Sequence, residues 1–298
     1  MRKVWIFALL LAAPSRALAF QKVMIVIFEN TGFDEALSQP FFKRVAAQGA
    51  VLTNYRAVAH PSQPNYVALV AGTTRGVVDD RNVDLDLRHL GDLLEARGKT
   101  WKVYAEGYPG NCFLGAQHGR YVRKHVPFLS FKNVQTNPER CAKIVEADQL
   151  FADVRSGSLP DYSMVVPDLD DDGHDTGAEF ADRWFERRFG PLLADPAFTQ
   201  ELLFVATFDE DDRMGGNRVY TALVGPAIRP GLVSNAPYTH YSLLRTVEDA
   251  FGLGTLGRDD AHARSIASLW TKSNRRKSNQ PRLRHCFHPL ETLPALPR

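Results

Sequence analysis

The chain has 298 residues, 44% of them hydrophobic, and its formal net charge is +2. This composition is sufficient for one large folded domain with a sizeable core, and no Gly/Ser linker, repeat or low-complexity block divides it. The small net charge leaves no strongly basic surface, so we expect no nucleic acid partner.

The amino terminus predicts a secretory signal. Two basic residues precede an apolar run over residues 4–13, and Ala17-Leu18-Ala19 provides a cleavage site before Phe20. Removing residues 1–19 also removes three basic side chains, which changes the formal charge from +2 to −1. We expect an exported protein, secreted or periplasmic, with residues 20–298 as a single domain. No apolar run is long enough to span a bilayer. A retained membrane anchor is the alternative, disfavoured because the cleavage site is good.

The first predicted strand ends in side chains that can bind a ligand. Residues 23–28 form an uninterrupted apolar run, which is typical of a buried parallel strand, and Glu29 and Asn30 follow it directly. The spacing of apolar residues then predicts a helix over 41–48, and residues 50–59 predict an extended segment.

The next segment contains the main candidate nucleophile. Ser62 is followed two residues later by Pro64 and then by an apolar run, which predicts a helix with Ser62 as its N-cap. Capping alone would account for this serine. A helix amino terminus also favours phosphate, and a serine alkoxide placed there beside a metal ion would be a competent nucleophile.

The middle of the chain predicts a helix over 89–97, a strand over 100–105 and a long excursion over residues 108–160. We expect the excursion to cross the carboxyl edge of the sheet and to shape a pocket. Within it, Arg123-Lys124-His125 groups three basic residues. They either meet the negative charge of a substrate or form an exposed, solubilising surface.

The chain contains three cysteines. Cys112 and Cys141 lie in the same loop-rich region, and export favours a disulfide between them. Cys286 is predicted to be free or only weakly structured. Three reduced, structural cysteines are the alternative.

Two further strands in the second half of the chain also end in acidic loops. The first covers residues 164–166 and precedes an acid-rich loop that contains His174. The second covers residues 204–208 and runs into four consecutive carboxylates at 209–212. Between them, residues 178–194 predict an amphipathic core helix.

The remaining elements follow the acidic run. Residues 217–224 predict a strand, and Thr239-His240-Tyr241-Ser242 opens a predicted helix over 243–251. A histidine at this position is a cap or surface residue unless other ligands converge on it. Residues 255–298 are increasingly polar and predict a surface wrap or a partly disordered tail.

Three apolar strands thus deliver oxygen or nitrogen donors at their carboxyl ends, and in an open α/β sheet those ends form the ligand crevice. Four adjacent acids repel one another, and a divalent cation would stabilise them. For the run 209–212 taken alone, a solvated acidic turn is the alternative. The coincidence of three such strand ends favours a metal centre.

The order of these strings resembles that of the secreted acid phosphatase and phosphoesterase family, which includes bacterial phospholipases C, within the alkaline phosphatase-like superfamily. The matching strings are Phe28-Glu29-Asn30 with Phe33-Asp34, His60-Pro61-Ser62-Gln63-Pro64-Asn65-Tyr66, Arg123-Lys124-His125, Val166-Pro167-Asp168-Leu169-Asp170, Thr207-Phe208-Asp209-Glu210-Asp211-Asp212 and His240-Tyr241-Ser242. The resemblance spans nearly all of the mature chain. It implies an α/β fold with a mostly parallel central sheet and helices on both of its faces.

The resemblance also implies a role for each matching residue. Ser62 would be the nucleophile. The implied substrate-binding residues are Lys124, His125 and Asn65. The implied ligands of one metal ion are Glu29, Asn30, Ser62, Asp209 and Glu210. The implied ligands of a second position are Asp170, His174 and His240. Better-known members of the superfamily have Asp-His in place of Asp209-Glu210, so the divalent metal (Zn, Mg, Ca, Mn or Fe) stays open.

We therefore predict a secreted, metal-dependent phosphomonoesterase of the acid phosphatase type, which hydrolyses small phosphate esters through a phosphoserine intermediate on Ser62. A phospholipase C that cleaves phospholipid head groups is the first alternative, disfavoured because no carboxy-terminal β-domain follows the catalytic region. An exported binding protein without turnover is an alternative of another class. A sulfatase is disfavoured because no cysteine lies near Ser62.

Overall fold

The structure is a computed structural model that describes residues 20–270. The predicted signal at residues 1–19, Cys286 and residues 271–298 of the predicted tail lie outside the described residues. Among residues 20–270, no helix is long and apolar enough to cross a membrane.

Eight of the twelve strands in the described chain form one central sheet, and the other four form two small sheets. The strands are β1 Lys22–Phe28, β2 Ala50–Leu52, β3 Tyr55–Arg56, β4 Trp101–Ala105, β5 Gln117–His118, β6 Tyr121–Val122, β7 Ile144–Glu146, β8 Tyr162–Val166, β9 Leu202–Phe208, β10 Thr221–Val224, β11 Leu232–Ser234 and β12 Tyr238–Thr239. The order across the central sheet is β11-β2-β10-β9-β1-β8-β4-β7. Only β10 runs antiparallel to its neighbours in that sheet.

The centre of the sheet is β1, which lies between β9 and β8. Seven residue pairs join β1 to β9 in parallel, from Lys22 beside Leu202 to Phe28 beside Phe208. All of β8 and β9, and every residue of β1 after Lys22, are buried. Continuous burial of this kind requires cover on both faces of a strand. The predicted α/β fold with a mostly parallel sheet is confirmed.

Helices supply that cover in two groups. The helices are α1 Phe33–Ser38, α2 Pro40–Gln48, α3 Ser62–Ala71, α4 Leu90–Ala96, α5 Lys132–Gln135, α6 Pro138–Cys141, α7 Gln149–Arg155, α8 Ala178–Ala194, α9 Pro196–Thr199, α10 His240–Phe251 and α11 Asp259–His262. Helix α2 packs against α1 and α8, whereas α3 packs against α4 and α10. Beside α2 and α8 the core is aromatic: the Phe28 ring centroid lies 4.9 Å from that of Phe42 and 5.1 Å from that of Phe185.

Several elements differ from their sequence-based bounds. The extended segment 50–59 divides into β2, which joins the central sheet, and β3, which pairs with β12. The strand predicted over 217–224 is confined to β10, because Asn217 adopts a left-handed conformation with φ of 60°. Helix α10 begins at His240, three residues earlier than predicted. Within the described part of the polar tail, α11 and a 3₁₀ turn at Ile266–Leu269 form ordered structure.

The long middle region is partly built into the sheet. Its strand β7 pairs with β4 and forms one edge of the central sheet. Cys112 and Cys141 form the predicted disulfide. Two 3₁₀ turns, Arg123–His125 and Pro127–Ser130, lie against α3. The region therefore supplies one wall beside the helix that begins at Ser62.

Candidate functional site

The site lies where β1 and β9 end side by side. Because Phe28 pairs with Phe208, the next residues, Glu29 and Asp209, leave the sheet together. The Asp209 N–H donates to the Phe28 carbonyl oxygen over 2.9 Å, and the Asn30 N–H donates to Asp209 Oδ1 over 3.3 Å. Neither Glu29 nor Asp209 is exposed to solvent. Two carboxylates are thus buried next to each other at the carboxyl edge.

Helix α3 brings Ser62 to this pair of acids. Pro61 occupies the N-cap and Ser62 is the first helical residue, so the expectation that Ser62 caps the helix is wrong. Its hydroxyl instead donates to Glu29 Oε2 over 3.0 Å. One turn later on the same helix face, the Tyr66 hydroxyl donates to Glu29 Oε1 over 2.6 Å. Both carboxylate oxygens of Glu29 therefore hold hydroxyl groups of α3.

A histidine and a third acid complete the centre. The Glu29 N–H donates to the Asp172 carbonyl oxygen over 2.9 Å, which brings the loop after β8 to the end of β1. His125 lies between the two acids, with Nε2 3.2 Å from Glu29 Oε1 and Nδ1 3.4 Å from Asp172 Oδ2. The His125 ring stacks on Tyr66 with a centroid distance of 4.9 Å. Asp172, rather than the predicted Asp170, is the loop acid that points inward.

The electrostatics of this centre favour a cation. Burial, followed by repulsion from neighbouring acids, raises the pKa of Glu29 and of Asp172 well above the ordinary value, and burial raises the pKa of Asp209 to about 7. Asp172 Oδ2, Asp209 Oδ2 and both His125 nitrogens have no hydrogen-bond partner within the described chain. Ligand atoms of Glu29, His125 and Asp172 lie within 4.8 Å of one another. These oxygen and nitrogen donors fit a divalent metal ion.

Glu210 faces a neighbouring pair of side chains. Its Oε2 lies 2.8 Å from His60 Nδ1 and accepts a bond from Asn65 Nδ2 over 3.4 Å. Asn65 is fully buried, and its Oδ1 accepts the N–H groups of Val58 and Ala59. Burial and the adjacent Asp209 raise the pKa of Glu210 to about 8. Asn65, predicted to bind substrate, here fixes the backbone that precedes Ser62.

Each residue predicted for a second metal position has another partner in the described structure. Asp170 pairs with Arg120. His174 Nδ1 lies 2.6 Å from Asp175 Oδ1, and the His174 ring centroid is 6.3 Å from that of His125. His174 thus lies beside the centre.

His240 is held by hydrogen bonds on both ring nitrogens. Its Nε2 donates to the Asp209 carbonyl oxygen over 2.6 Å, and because a carbonyl only accepts, Nδ1 accepts from the Tyr55 hydroxyl over 3.0 Å. Burial lowers the pKa of His240 to about 4, so the ring is neutral. In this arrangement His240 supports the backbone of Asp209 and does not offer a nitrogen to an ion.

The three residues of the basic string 123–125 lie in three different environments. Arg123 is buried and donates to the carbonyl oxygens of Leu129 and Val83, which ties the turn together. His125 belongs to the centre described above. Lys124 Nζ lies 2.7 Å from Asp80 Oδ2, and its side chain is 16% exposed. An exposed, solubilising patch is therefore the wrong interpretation of this string.

Four contact residues had not been predicted as site residues: His60, Tyr66, Asp80 and Asp172. Tyr66 could have been predicted from the sequence, because it lies four residues after Ser62 and the two residues share one helix face. Asp172 lay among several adjacent acids with no pattern to select it. Asp80 lies in a loop whose approach to α3 depends on tertiary structure.

Sequence comparisons match this chain to a known family and to named relatives. A sequence profile of the phosphoesterase family matches residues 35–254. The chain is 35% identical over 269 residues to a probable acid phosphatase of Kluyveromyces lactis, covering 86% of this chain and 64% of that protein. It therefore spans less than two thirds of the length of that relative. It is also 34% identical over 264 residues to a phosphatidylinositol-3-phosphatase of Mycobacterium tuberculosis, covering 87% and 85% of the two chains.

A solved structure shows the same fold. A protein of the alkaline phosphatase superfamily from Vibrio parahaemolyticus superposes with a TM-score of 0.58 at 13% sequence identity. The match covers 80% of this chain and 69% of the other. The predicted alkaline phosphatase-like fold is thereby confirmed.

Proposed function

The chain belongs to the phosphoesterase family, and from that premise we propose that it is an exported, metal-dependent phosphomonoesterase of the acid phosphatase type. In this proposal, a phosphate monoester is cleaved through a phosphoserine on Ser62. The observation that carries the proposal is the contact between Ser62 Oγ and Glu29 Oε2 at the carboxyl edge of β1.

The surroundings of Ser62 support its role as nucleophile. Ser62 is 2% exposed and begins a ten-residue helix, so its position is fixed and shielded from water. The hydrogen bond to Glu29 directs the hydroxyl proton to a carboxylate and leaves an oxygen lone pair for attack on phosphorus. After that attack the leaving alcohol departs, and water then hydrolyses the phosphoserine.

The buried acids support the metal dependence. The residues that would hold the ion are Glu29, Asp172, Asp209 and His125. When bound, a divalent cation would favour the serine alkoxide and stabilise negative charge on the phosphoryl oxygens. The Lys124 side chain supplies a further positive charge beside these acids and would hold the substrate phosphate. His240 keeps the backbone of Asp209 in place through its bond to the carbonyl oxygen.

A phosphate monoester fits the relatives better than the phosphodiester cleaved by a phospholipase C. Both relatives described above are named phosphatases, and one carries the name of a phosphorylated inositol lipid. The phospholipase alternative has no specific support in the described structure. We therefore propose a phosphate monoester as the substrate class. The experiment below determines which alcohol the phosphate is attached to.

The test is a substrate panel on the purified mature protein. We expect measurable hydrolysis of p-nitrophenyl phosphate and of phosphatidylinositol 3-phosphate in vesicles. Whichever ester the enzyme cleaves more efficiently identifies the alcohol moiety that it prefers. Phosphatidylcholine should release no phosphocholine. Exclusive cleavage of phosphatidylcholine would overturn the proposal in favour of a phospholipase C.

Export rests on the predicted signal and agrees with the disulfide between Cys112 and Cys141. Amino-terminal sequencing of protein recovered from outside the cytoplasm should give Phe20 as the first residue. A full-length chain that begins at Met1 in that fraction would contradict the predicted cleavage.

A further inference from the structure

Asp80 contacts both groups that were expected to bind phosphate. Its Oδ1 accepts the backbone N–H of Gln63 in the first turn of α3 over 3.0 Å. Its Oδ2 lies 2.7 Å from Lys124 Nζ. The N–H groups of a helix amino terminus and a lysine ammonium are typical phosphate ligands, and here one carboxylate links them. Asp80 therefore connects the helix that begins at Ser62 to the opposite wall of the site.

The loop that carries Asp80 is fastened to α3 by more than this carboxylate. The Gln63 side-chain amide faces the carbonyl oxygens of Asp79 and Arg81, and it donates to both when its nitrogen is turned toward them. Gln63 is 1% exposed. Because backbone and side chain of the same helical residue hold the loop, Asp80 is a fixed part of the wall.

Lys124 has competing anionic partners. Burial alone would lower the pKa of Lys124, but the negative charges of Asp80, Glu29 and Asp209 raise it above its ordinary value. A flexible lysine beside such acids would move toward them and neutralise them. The fixed carboxylate of Asp80, 2.7 Å from Lys124 Nζ, offers an alternative partner.

We infer that Asp80 is a positioning residue that holds Lys124 for the substrate phosphate and keeps it from the acids Glu29 and Asp209. This inference rests on the proposed function and deepens it. The carboxylate does not touch the reacting atoms; it acts through Lys124. Its contribution therefore belongs to phosphate binding and should change KM more than kcat.

A rival role for Asp80 makes the opposite prediction. If the carboxylate merely occupied the phosphate position, the substrate would have to displace it. Removing its charge would then strengthen phosphate binding and lower KM. The sign of the change in KM separates the two roles.

The experiment compares Asp80→Asn with Asp79→Asn in the full mature chain. Asp79 lies in the same loop, but its carboxylate pairs with Arg81, whose side chain is 86% exposed. We expect Asp80→Asn to lower kcat/KM for p-nitrophenyl phosphate about tenfold or more, mainly through KM, as for loss of a charge-assisted hydrogen bond. Asp79→Asn should stay within about twofold, as a surface substitution. An unchanged or lower KM in Asp80→Asn overturns the inference.

A double-mutant cycle identifies the route through Lys124. If Asp80 acts only by positioning this lysine, Asp80→Asn should add no further loss to Lys124→Gln. Losses that multiply in the double variant would show an independent structural effect and overturn the inference. Should Asp80→Asn fail to fold, Asp80→Glu keeps the charge and displaces it by one methylene, and the same cycle is run with that variant.

Binding of inorganic phosphate, measured by calorimetry, distinguishes failure of this inference from failure of the proposed function. If the wild-type protein hydrolyses no ester but binds phosphate, and Asp80→Asn weakens that binding about tenfold, only the proposed function fails. If the wild-type protein hydrolyses esters and Asp80→Asn matches it, only this inference fails. A wild-type protein that neither hydrolyses esters nor binds phosphate overturns both.

Discussion

The two ends of helix α3 both lie beside buried acids, yet the acids serve different purposes. At the amino end, Ser62 meets Glu29, with Asp209 nearby. At the carboxyl end, Gly72 approaches Asp260 of α11, and Glu248 of α10 is a second acid there; both acids are fully buried.

At the carboxyl end the carboxylate is used to fix the backbone. Asp260 accepts the N–H of Leu256 over 2.6 Å and that of Arg258 over 2.9 Å. A Cβ on Gly72 would lie 2.3 Å from Asp260 Oδ1, so the helix end and the loop pack closely. Both ends contain carboxylate oxygens without a hydrogen-bond partner in the described chain, those of Glu248 at the carboxyl end included. Only at the amino end do the acids lie with a serine hydroxyl and a histidine. Burial of acids alone therefore does not distinguish the two ends; the hydroxyl of Ser62 and the ring of His125 beside the acids do.

Replacing Ser62, at the amino end of α3, should have the largest effect on activity. If Ser62 is the nucleophile, Ser62→Ala should lower kcat for p-nitrophenyl phosphate at least about a thousandfold, as for other removed nucleophiles. Ser38→Ala, at the exposed end of α1, is the matched control and should leave kcat unchanged. A Ser62→Ala variant with full activity would favour another nucleophile, and an unaltered binding function in both variants would favour a binding protein without turnover.

Removing divalent metal should affect the site at the amino end of α3 and leave the acids at its carboxyl end unchanged. Dialysis against a chelator should abolish hydrolysis and lower Tm by at least about 2 °C, because Glu29, Asp172 and Asp209 then repel one another. Adding back divalent ions should restore both. In Asp209→Asn, where one acid is neutralised, the shift in Tm should be smaller.

Elemental analysis shows whether chelation has removed the metal. Activity that remains counts against metal dependence only if the metal is gone. A protein shown to contain no metal and to retain full activity would contradict the proposed role of these acids.

Removing one hydroxyl should have a moderate effect at the amino end. Tyr66→Phe deletes the 2.6 Å bond to Glu29 Oε1, and we expect kcat/KM to fall about tenfold. Tyr162→Phe is the control, since its hydroxyl is buried but has no hydrogen-bond partner within residues 20–270. Equal losses in the two variants would mean that the Tyr66 hydroxyl has no special role.

The carboxyl end should respond to pH through stability. Burial and the neighbouring Asp260 raise the pKa of Glu248 to about 9, above its value of about 4.3 in the unfolded chain. The stabilisation tied to the protonated form is complete below pH of about 4.3 and is lost as pH rises toward about 9. The Tm of Glu248→Gln should therefore fall less than that of the wild type as the pH is raised between these two values.

Two measurements make the stability test specific. Glu35→Gln, at an exposed position of α1, should follow the wild-type dependence of Tm on pH. Glu248→Gln should leave kcat near the wild-type value at low pH, since Glu248 lies away from Ser62. A pH profile of Tm identical in wild type and Glu248→Gln would contradict the raised pKa.

Much of the scaffold of the site could be predicted from the sequence. Apolar runs that end in acids located the carboxyl ends of β1, β8 and β9, and the parallel pairing of such strands brings Glu29 and Asp209 together. Ser62 could be placed at the start of a helix because Pro64 and the following apolar run mark that boundary.

The inward-facing loop acid could not be predicted. Asp170 and Asp172 lie in the same acidic string, and only the turn decides which one reaches Glu29. Gly173, at the bend that follows Asp172, adopts a φ of 93°, a conformation that favours glycine. Asp170 is left to pair with Arg120. Sequence spacing alone contains no information on that bend.

The in-register pairing of β1 with β9 determines how the chemistry of this scaffold can diverge. Seven consecutive residue pairs set the separation of positions 29 and 209 through the main chain, independently of the side chains there. A single codon change at either position would exchange one donor atom for another while the peptide framework stays intact. The carboxyl edge could thus present a different donor atom without refolding the sheet.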